Sequence, residues 1–236
     1  YLLSGLLIFQ PVSAQVVGDT KAPVNQQAGV TTTQQGVPLV NITAPNANGL
    51  SHNQFESYSV NNSHLILNNS NQVVETLISG EINANPHLTN GTANIILNEV
   101  TGASRSLLHG YTEIAGDQAE LIIANPNGIT CNGCGFINTP RAVLSTGTPQ
   151  VSNGRLMSLS IDQGDILIEG DGINAGNIDQ FDLITRSIHI DGQLLARDLN
   201  VITGRNDVDY IGLTVTPKMG SANDLPSFAI DSSLLG

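Results

Sequence analysis

A chain of 236 residues with 40% hydrophobic content is long enough to bury a sizeable core, in one long domain or two short ones. Its formal net charge is −12 although only 12% of residues are charged, and the eight Lys and Arg are spread along the whole length. That leaves no basic patch and excludes the usual nucleic-acid and anionic-membrane binders. Aromatic residues make up 4%, Trp is absent and Gly numbers 24, which favours narrow strands and tight turns over a helical bundle.

The first element is "YLLSGLLIFQPVSA", an apolar run from Leu2 to Phe9 followed by Val12, Ser13 and Ala14 with small residues at cleavage spacing. It reads as the end of a secretory signal peptide cropped at its start, covering residues 1–14, with a buried first strand as the alternative. No other apolar stretch approaches the roughly 20 residues that span a bilayer, so an exported, soluble mature protein from about Gln15 is expected. From Gln15 to Gly49 the chain is rich in Gln, Thr, Ala, Val and Asn, and Pro23, Pro38 and Pro45 interrupt any helix. This region reads as an extended N-terminal cap.

Short apolar runs then recur, each closed by a turn cluster: "HLILNNSN", "NIILNEVTG", "ELIIANPNG", "DILIEGDG", "SIHIDG" and "LNVITG". Each is too short for a helix and right for a strand. Leu159, Ile161, Ile166, Ile168 and Gly170 recur 22 positions later as Phe181, Leu183, Ile188, Ile190 and Gly192. A fixed offset of this kind predicts successive coils of a solenoid. "NPH" at Asn85–His87 and "NPN" at Asn125–Asn127 lie 40 positions apart, close to two such coils. A parallel β-helix is therefore favoured over a sandwich, with abundant Asn suited to coil corners and to side-chain ladders. Its open end needs a cap, for which residues 15–50 are the candidate.

Cys131 and Cys134 are the only cysteines, spaced C-x-x-C. A structural zinc site needs two further ligands, and His52, His64, His87, His109 and His189 are scattered without ligand spacing. A thioredoxin-like redox pair needs a helix after the first Cys, whereas glycines surround this one. A short-range disulfide that fixes a loop is the plainest alternative. Asn125-Pro126-Asn127-Gly128 is a turn at the end of a buried run: Pro126 sets φ, and Asn127 or Gly128 takes the positive φ that follows. No nucleophile sits beside a base and no G-x-S-x-G elbow exists. Asp162, Asp165, Asp171, Asp179, Asp182 and Asp191 could converge on one face as acid–base carboxylates, although their places beside glycines favour solvated turns.

Four separated blocks, "SHNQFESYSVNNSHLILNN", "NPHLTNGTANIILNEVTG", "ANPNGITCNGCGFINTPRAVLSTG" and "FDLITRSIHIDGQLLARDLNVITGRNDVDY", closely resemble the secretion domain of two-partner-secretion exoproteins. These are the filamentous haemagglutinin, haemolysin and contact-dependent-inhibition toxins of Gram-negative bacteria. The resemblance runs from about Gln15 past Tyr210. It implies a right-handed parallel β-helix with an N-terminal cap over residues 15–236, and a role in export without catalysis or cofactor. It implies passage by the Sec machinery, then recognition by the POTRA domains of a cognate outer-membrane β-barrel transporter, leading to the cell surface or medium. The family's secretion motif carries over onto Asn125, Pro126, Asn127, Gly128 and Ile129. Its second motif, usually Asn-Pro-Asn-Leu, maps onto Asn85, Pro86, His87 and Leu88, with His87 departing from the pattern.

A monomeric front portion of a larger exoprotein is the expectation, since the sequence stops in "DSSLLG" without a cap signature. Two competitors stand beside it. An adhesin would bind a glycan or receptor on a β-helix face, for which four Tyr and five Phe offer little. A polysaccharide lyase or hydrolase would depend on Asp171 or Asp182.

Overall fold

The computed structural model describes residues 16–219 and 228–230; the signal-peptide reading of residues 1–14 lies outside them. Three parallel sheets form the sides of a prism. The first holds Leu50–Ser57, Ile95–Val100, Glu120–Ala124, Arg141–Ser145, Gln180–Thr185 and Leu199–Thr203. The second holds Pro38–Asn41, Leu65–Asn69, Tyr111–Gly116, Cys134–Ile137, Ile173–Ala175 and Leu194–Ala196. The third holds Ser106–Leu108, Ile129–Cys131, Asp165–Ile168, Ser187–Ile190 and Phe228–Ile230.

The chain visits the first, third and second sheet in turn and then returns to the first one rung further along. This is a parallel β-helix. Parallel crossovers between right-twisted strands wind right-handed, the hand that the resemblance implies. The parallel register of every ladder along the prism excludes the sandwich.

The interior is a continuous apolar column to which all three sheets contribute, as at Leu121, Ile123, Ile129, Phe136, Leu144, Ile166, Ile173, Phe181 and Ile188. Each fully buried Leu, Ile or Phe contributes about 1.5–3 kcal/mol relative to exposure. Buried polar residues in this column include a pair of stacked asparagines. Asn53 and Asn98 share a rung, the amide of Asn53 donates to Asn98 Oδ1 at 3.2 Å, and Asn98 donates to the buried Tyr58 hydroxyl at 3.4 Å.

The runs read as continuous because two of the sheets are covered on their outer side as well. Thr148–Ser152 and Arg155–Ser160 form a hairpin that joins Asn206–Asp209 and Val215–Pro217 in a four-stranded antiparallel sheet. Its Leu156, Leu159, Val208 and Tyr210 pack on Leu97, Ile122, Ala124, Val143 and Ile184 from the outside of the first sheet. A smaller hairpin, Val74–Thr76 with Gly80–Ile82, covers Leu39, Ile66 and Ala115 on the outside of the second.

The N-terminal cap closes one end with antiparallel partners. Val17–Gly18 pairs with Leu50–Ser57, and Gly29–Thr32 pairs with Pro38–Asn41. Both place short strands against what would otherwise be open ladder edges.

Two sequence expectations need correction. The 22-position offset holds on the third sheet, where Ile166 and Ile168 oppose Ile188 and Ile190. It fails for Leu159 and Ile161, because Leu159 lies in the outer hairpin opposite Val208 and Pro149, and Phe181 opposes Ala142 and Leu199. The two Asn-Pro turns are also not two coils apart on one corner. Asn85–His87 lies between a strand of the small outer hairpin, Gly80–Ile82, and one of the first sheet, whereas Asn125–Asn127 lies between the first and the third.

Candidate functional site

The corner begins where Glu120–Ala124 ends and Ile129–Cys131 starts, and five backbone and side-chain hydrogen bonds shape it. Asn125 N–H continues the ladder by donating to Ser145 O at 2.8 Å, and Gly128 N–H closes the turn on Asn125 O at 3.0 Å. Asn125 Oδ1 accepts from Asn127 N–H at 2.9 Å, an Asx turn that Pro126 favours by fixing φ. Asn125 Nδ2 donates to Ser104 O and to Ser106 Oγ, both at 2.9 Å, tying the corner to the preceding coil. The first Asn of the motif is thus wholly buried and fully bonded.

Asn127 is different: it is half-buried and makes one bond to another coil, Nδ2 to Gly102 O at 2.8 Å. Gly128 has φ +105°, and an added Cβ would run into the Arg105 guanidinium, so glycine is required here on two counts. Ile129 is buried in the interior column.

The second motif repeats the device at a different corner. Asn85 N–H donates to Ser70 O at 2.8 Å, Leu88 N–H closes on Asn85 O at 3.1 Å, and Asn85 Oδ1 accepts from His87 N–H at 2.9 Å. Asn85 Nδ2 donates to Ile42 O and Asn68 O at 3.0 and 2.8 Å. His87 Nδ1 lies 3.1 Å from Ile42 O, so the imidazole occupies a bonded place, while Pro86 is exposed and Leu88 buried.

Behind the first corner, Arg105 forms a clasp that sequence reading missed. Its Nε donates to Thr130 Oγ1 at 2.7 Å, Nη2 to Ile129 O at 2.9 Å, and Nη1 and Nη2 to the Asp165 carboxylate at 2.9 and 2.8 Å. Planar, bidentate pairing is what guanidinium provides and ammonium does not. Nothing in one sequence marks this contact, because Arg105 and Asp165 are brought together only by stacking of three strands of the third sheet.

Cys131 and Cys134 are joined as a disulfide, with Cα atoms 5.5 Å apart. They lie at the corner between the third and second sheets, and both face the interior column. Gly133, with φ +77°, and Asn132 carry the turn; Asn132 Oδ1 accepts from Asp171 N–H in the next coil at 3.1 Å.

The acidic residues separate into different structural pairs. Asp162 meets Lys218 Nζ at 2.9 Å, Asp165 meets Arg105, and Asp179 meets Arg197 at 3.5 Å. Asp182 departs from the solvated-turn expectation. It is wholly buried and accepts from Arg141 Nε at 2.7 Å, from Gln180, and from Asn200. Arg141 also lies over the Tyr210 ring, 4.5 Å from its centre, and the Tyr210 hydroxyl donates to Glu120. Burial opposes the charge on Arg141, but Tyr210, Asp182 and Glu120 outweigh it and raise its pKa; burial, then Glu120, pushes the Tyr210 phenol up as well. This network joins successive rungs of the first sheet to the outer sheet. Among the described residues no group of three or more His, Cys, Asp or Glu is placed to hold a metal ion.

Residues 14–235 match the TPS secretion domain family. The chain is 45% identical, over an alignment of 238 residues that covers 100% of it, to a 16S rRNA endonuclease CdiA of Enterobacter cloacae. It is 42% identical over 223 residues, 94% of the chain, to a toxin CdiA of Yersinia pestis. In both cases it spans only 7% of the relative's length. The crystal structure of a filamentous hemagglutinin secretion domain superposes with a TM-score of 0.80 at 35% identity, covering 91% of this chain and 75% of that one. The fold and a match along nearly the whole sequence agree, and this chain belongs to the TPS secretion domain family.

Proposed function

We propose that this domain directs a large exoprotein of a Gram-negative bacterium to a cognate outer-membrane transporter, with the corner Asn125–Gly128 as part of its address. The observation that carries the reading is the family match over residues 14–235. The domain's own role is binding and folding rather than catalysis. The nuclease activities in the relatives' names describe proteins of which this chain spans 7%.

In this reading the chain reaches the periplasm through Sec and meets the transporter's POTRA domains unfolded. It offers them backbone hydrogen bonds along an extended segment, with side-chain pockets for selectivity. The low density of charge and the many amides suit such a strand. After passage, the capped first coils give each later coil a ready-made ladder edge, so burial of the apolar column favours continued export. Within the motif, Asn125 and Asn85 are assigned to the turn, and Asn127, Pro126 and Pro86, which remain accessible, to recognition. His87 keeps the turn by the same Asx bond that Asn127 uses.

The test is a fusion of residues 1–236, behind a complete signal peptide, to a reporter passenger, expressed with and without the cognate transporter. Release that requires the transporter is expected; release without it, or none with it, would overturn the reading.

A further inference from the structure

The outside of the first sheet carries an open trough of about 810 Å³, a size common among small-ligand clefts. Its floor is built from strand starts: Leu50 opposes Ile95, Ile95 opposes Glu120, and Arg141 opposes Gln180. Five rungs spaced about 4.8 Å apart make a floor about 19 Å long. The facing wall comes from the outer sheet, at residues 154–156 and at Tyr210 and Ile211. One end is closed by a latch between distant segments. Asn46 Nδ2 donates to Gly154 O at 2.8 Å, Asn48 Nδ2 to Asn153 O at 3.0 Å, and Arg155 Nε to Asn48 Oδ1 at 3.1 Å. These bonds hold the trough ready-formed.

The floor changes character along its length. Leu50 and Ile95, with Leu156 opposite, make one half apolar, and Glu120, Arg141 and Gln180 make the other polar. Two of these polar groups are fixed in place with bonding capacity left over. Arg141, whose side chain is 11% exposed, gives Nε to Asp182, one Nη2 hydrogen to Tyr210 O and one Nη1 hydrogen to Glu120. The second hydrogen on each Nη has no partner among the described residues. Glu120, 34% exposed, receives the Tyr210 hydroxyl and Arg141 on Oε2, which leaves Oε1 without a donor among the described residues. A donor and an acceptor thus stand side by side, next to apolar Ile95. Arg141 and Arg155 balance Glu120 and Asp182, and Asp179 is paired with Arg197, so no net charge selects for an ion.

We infer that this trough binds a neutral oligosaccharide that carries acetamido groups. Such a group has a carbonyl to accept from Arg141, an N–H to donate to Glu120 Oε1 and a methyl for the apolar half that begins at Ile95. Asn94 and Gln180 offer planar amides to hydroxyls at other rungs, and sugar faces rest on Pro140 and on Ile211, which is 82% exposed. A peptide fits less well. Extended peptides are read by the free backbone groups of a strand edge. The strands beneath the trough, from Leu50–Ser57 to Gln180–Thr185, are paired on both sides. The activity belongs to the folded domain, goes beyond export and does not depend on the address.

Equilibrium dialysis of the exoprotein released into the medium tests it, with labelled N,N′,N″-triacetylchitotriose as probe and maltotriose, which has no acetamido group, as comparison. Chitotriose is expected to bind about tenfold more tightly than maltotriose, the size of one hydrogen bond to a charged group. Glu120→Gln keeps the shape of the acceptor and removes its charge, and Asn94→Tyr places bulk at an exposed lining position. Each is expected to weaken chitotriose binding about tenfold on the same scale, with the thermal midpoint unchanged. If Glu120→Gln lowers the midpoint, Asn94→Tyr decides alone. Absence of chitotriose binding by the parent, equal binding of maltotriose, or undiminished binding by Asn94→Tyr overturns the proposal. Tighter binding of an N-acetylated tripeptide than of chitotriose overturns it as well, in favour of a peptide.

Discussion

Replacing Asn125 by Ala should separate structure from recognition within the motif. The Asn125 side chain is wholly buried and makes three bonds of 2.9 Å, two donated to Ser104 O and Ser106 Oγ and one accepted from Asn127 N–H. At about 1 kcal/mol net for each intramolecular hydrogen bond, their loss costs roughly 3 kcal/mol. Asn127→Ala removes one inter-coil bond, to Gly102 O, from a half-buried position, and costs about 1 kcal/mol on the same scale. The assay is urea unfolding of the secreted domain followed by circular dichroism, with midpoints compared at unchanged slope. Asn125→Ala should lower the midpoint about three times as far as Asn127→Ala, on that same estimate. Equal midpoints, or a larger loss from Asn127, would refute the division of labour. Asn85→Ala should behave like Asn125→Ala, since its amide makes the same set of three contacts.

Two further outcomes follow from the packing. Leu159 is wholly buried between the outer sheet and the β-helix, so Leu159→Ala should cost about 2–5 kcal/mol and loosen the outer hairpin first. Limited proteolysis should then cut within residues 146–162 while the strands of the interior column stay protected; uniform degradation would contradict a separate outer core. The Cys131–Cys134 bond faces the interior column with both residues buried, so dithiothreitol should reduce it only in step with unfolding. Complete thiol labelling of the native protein within minutes would show that this corner is open.

The parts of the fold legible in the sequence were those with strong local signals. All six quoted apolar runs are strands, because each carries two or more Leu, Ile or Val residues buried in an apolar core or packed against one. The short strands Ile129–Cys131 and Ile173–Ala175 carry too few apolar residues to stand out, and only the ladder on either side makes them strands. The repeat at 22 positions was real on the third sheet and misleading at Leu159. An antiparallel hairpin there satisfies the same apolar spacing while packing on the outside.

The site shows the same limit. The turn at Asn125 could be read from Pro126 and Gly128, since φ preferences are local. Its anchorage could not, because Ser104, Ser106 and Gly102 reach it from the previous coil, and Arg105 behind it is held by Asp165 from the next. Asp182 looked like one more turn acid, yet it is buried, because its partner Arg141 comes from the adjacent rung. Burial of a charge depends on a partner that a single chain segment does not announce.

Asn127 is either read by a transporter or merely completes a turn. The most direct measurement is fractionation of the full exoprotein carrying Asn127→Ala, alongside urea unfolding of the same variant. The expected result is accumulation in the periplasm with a folded stability close to that of the parent domain. Release into the medium at the parent level would contradict the assignment of this corner as the address.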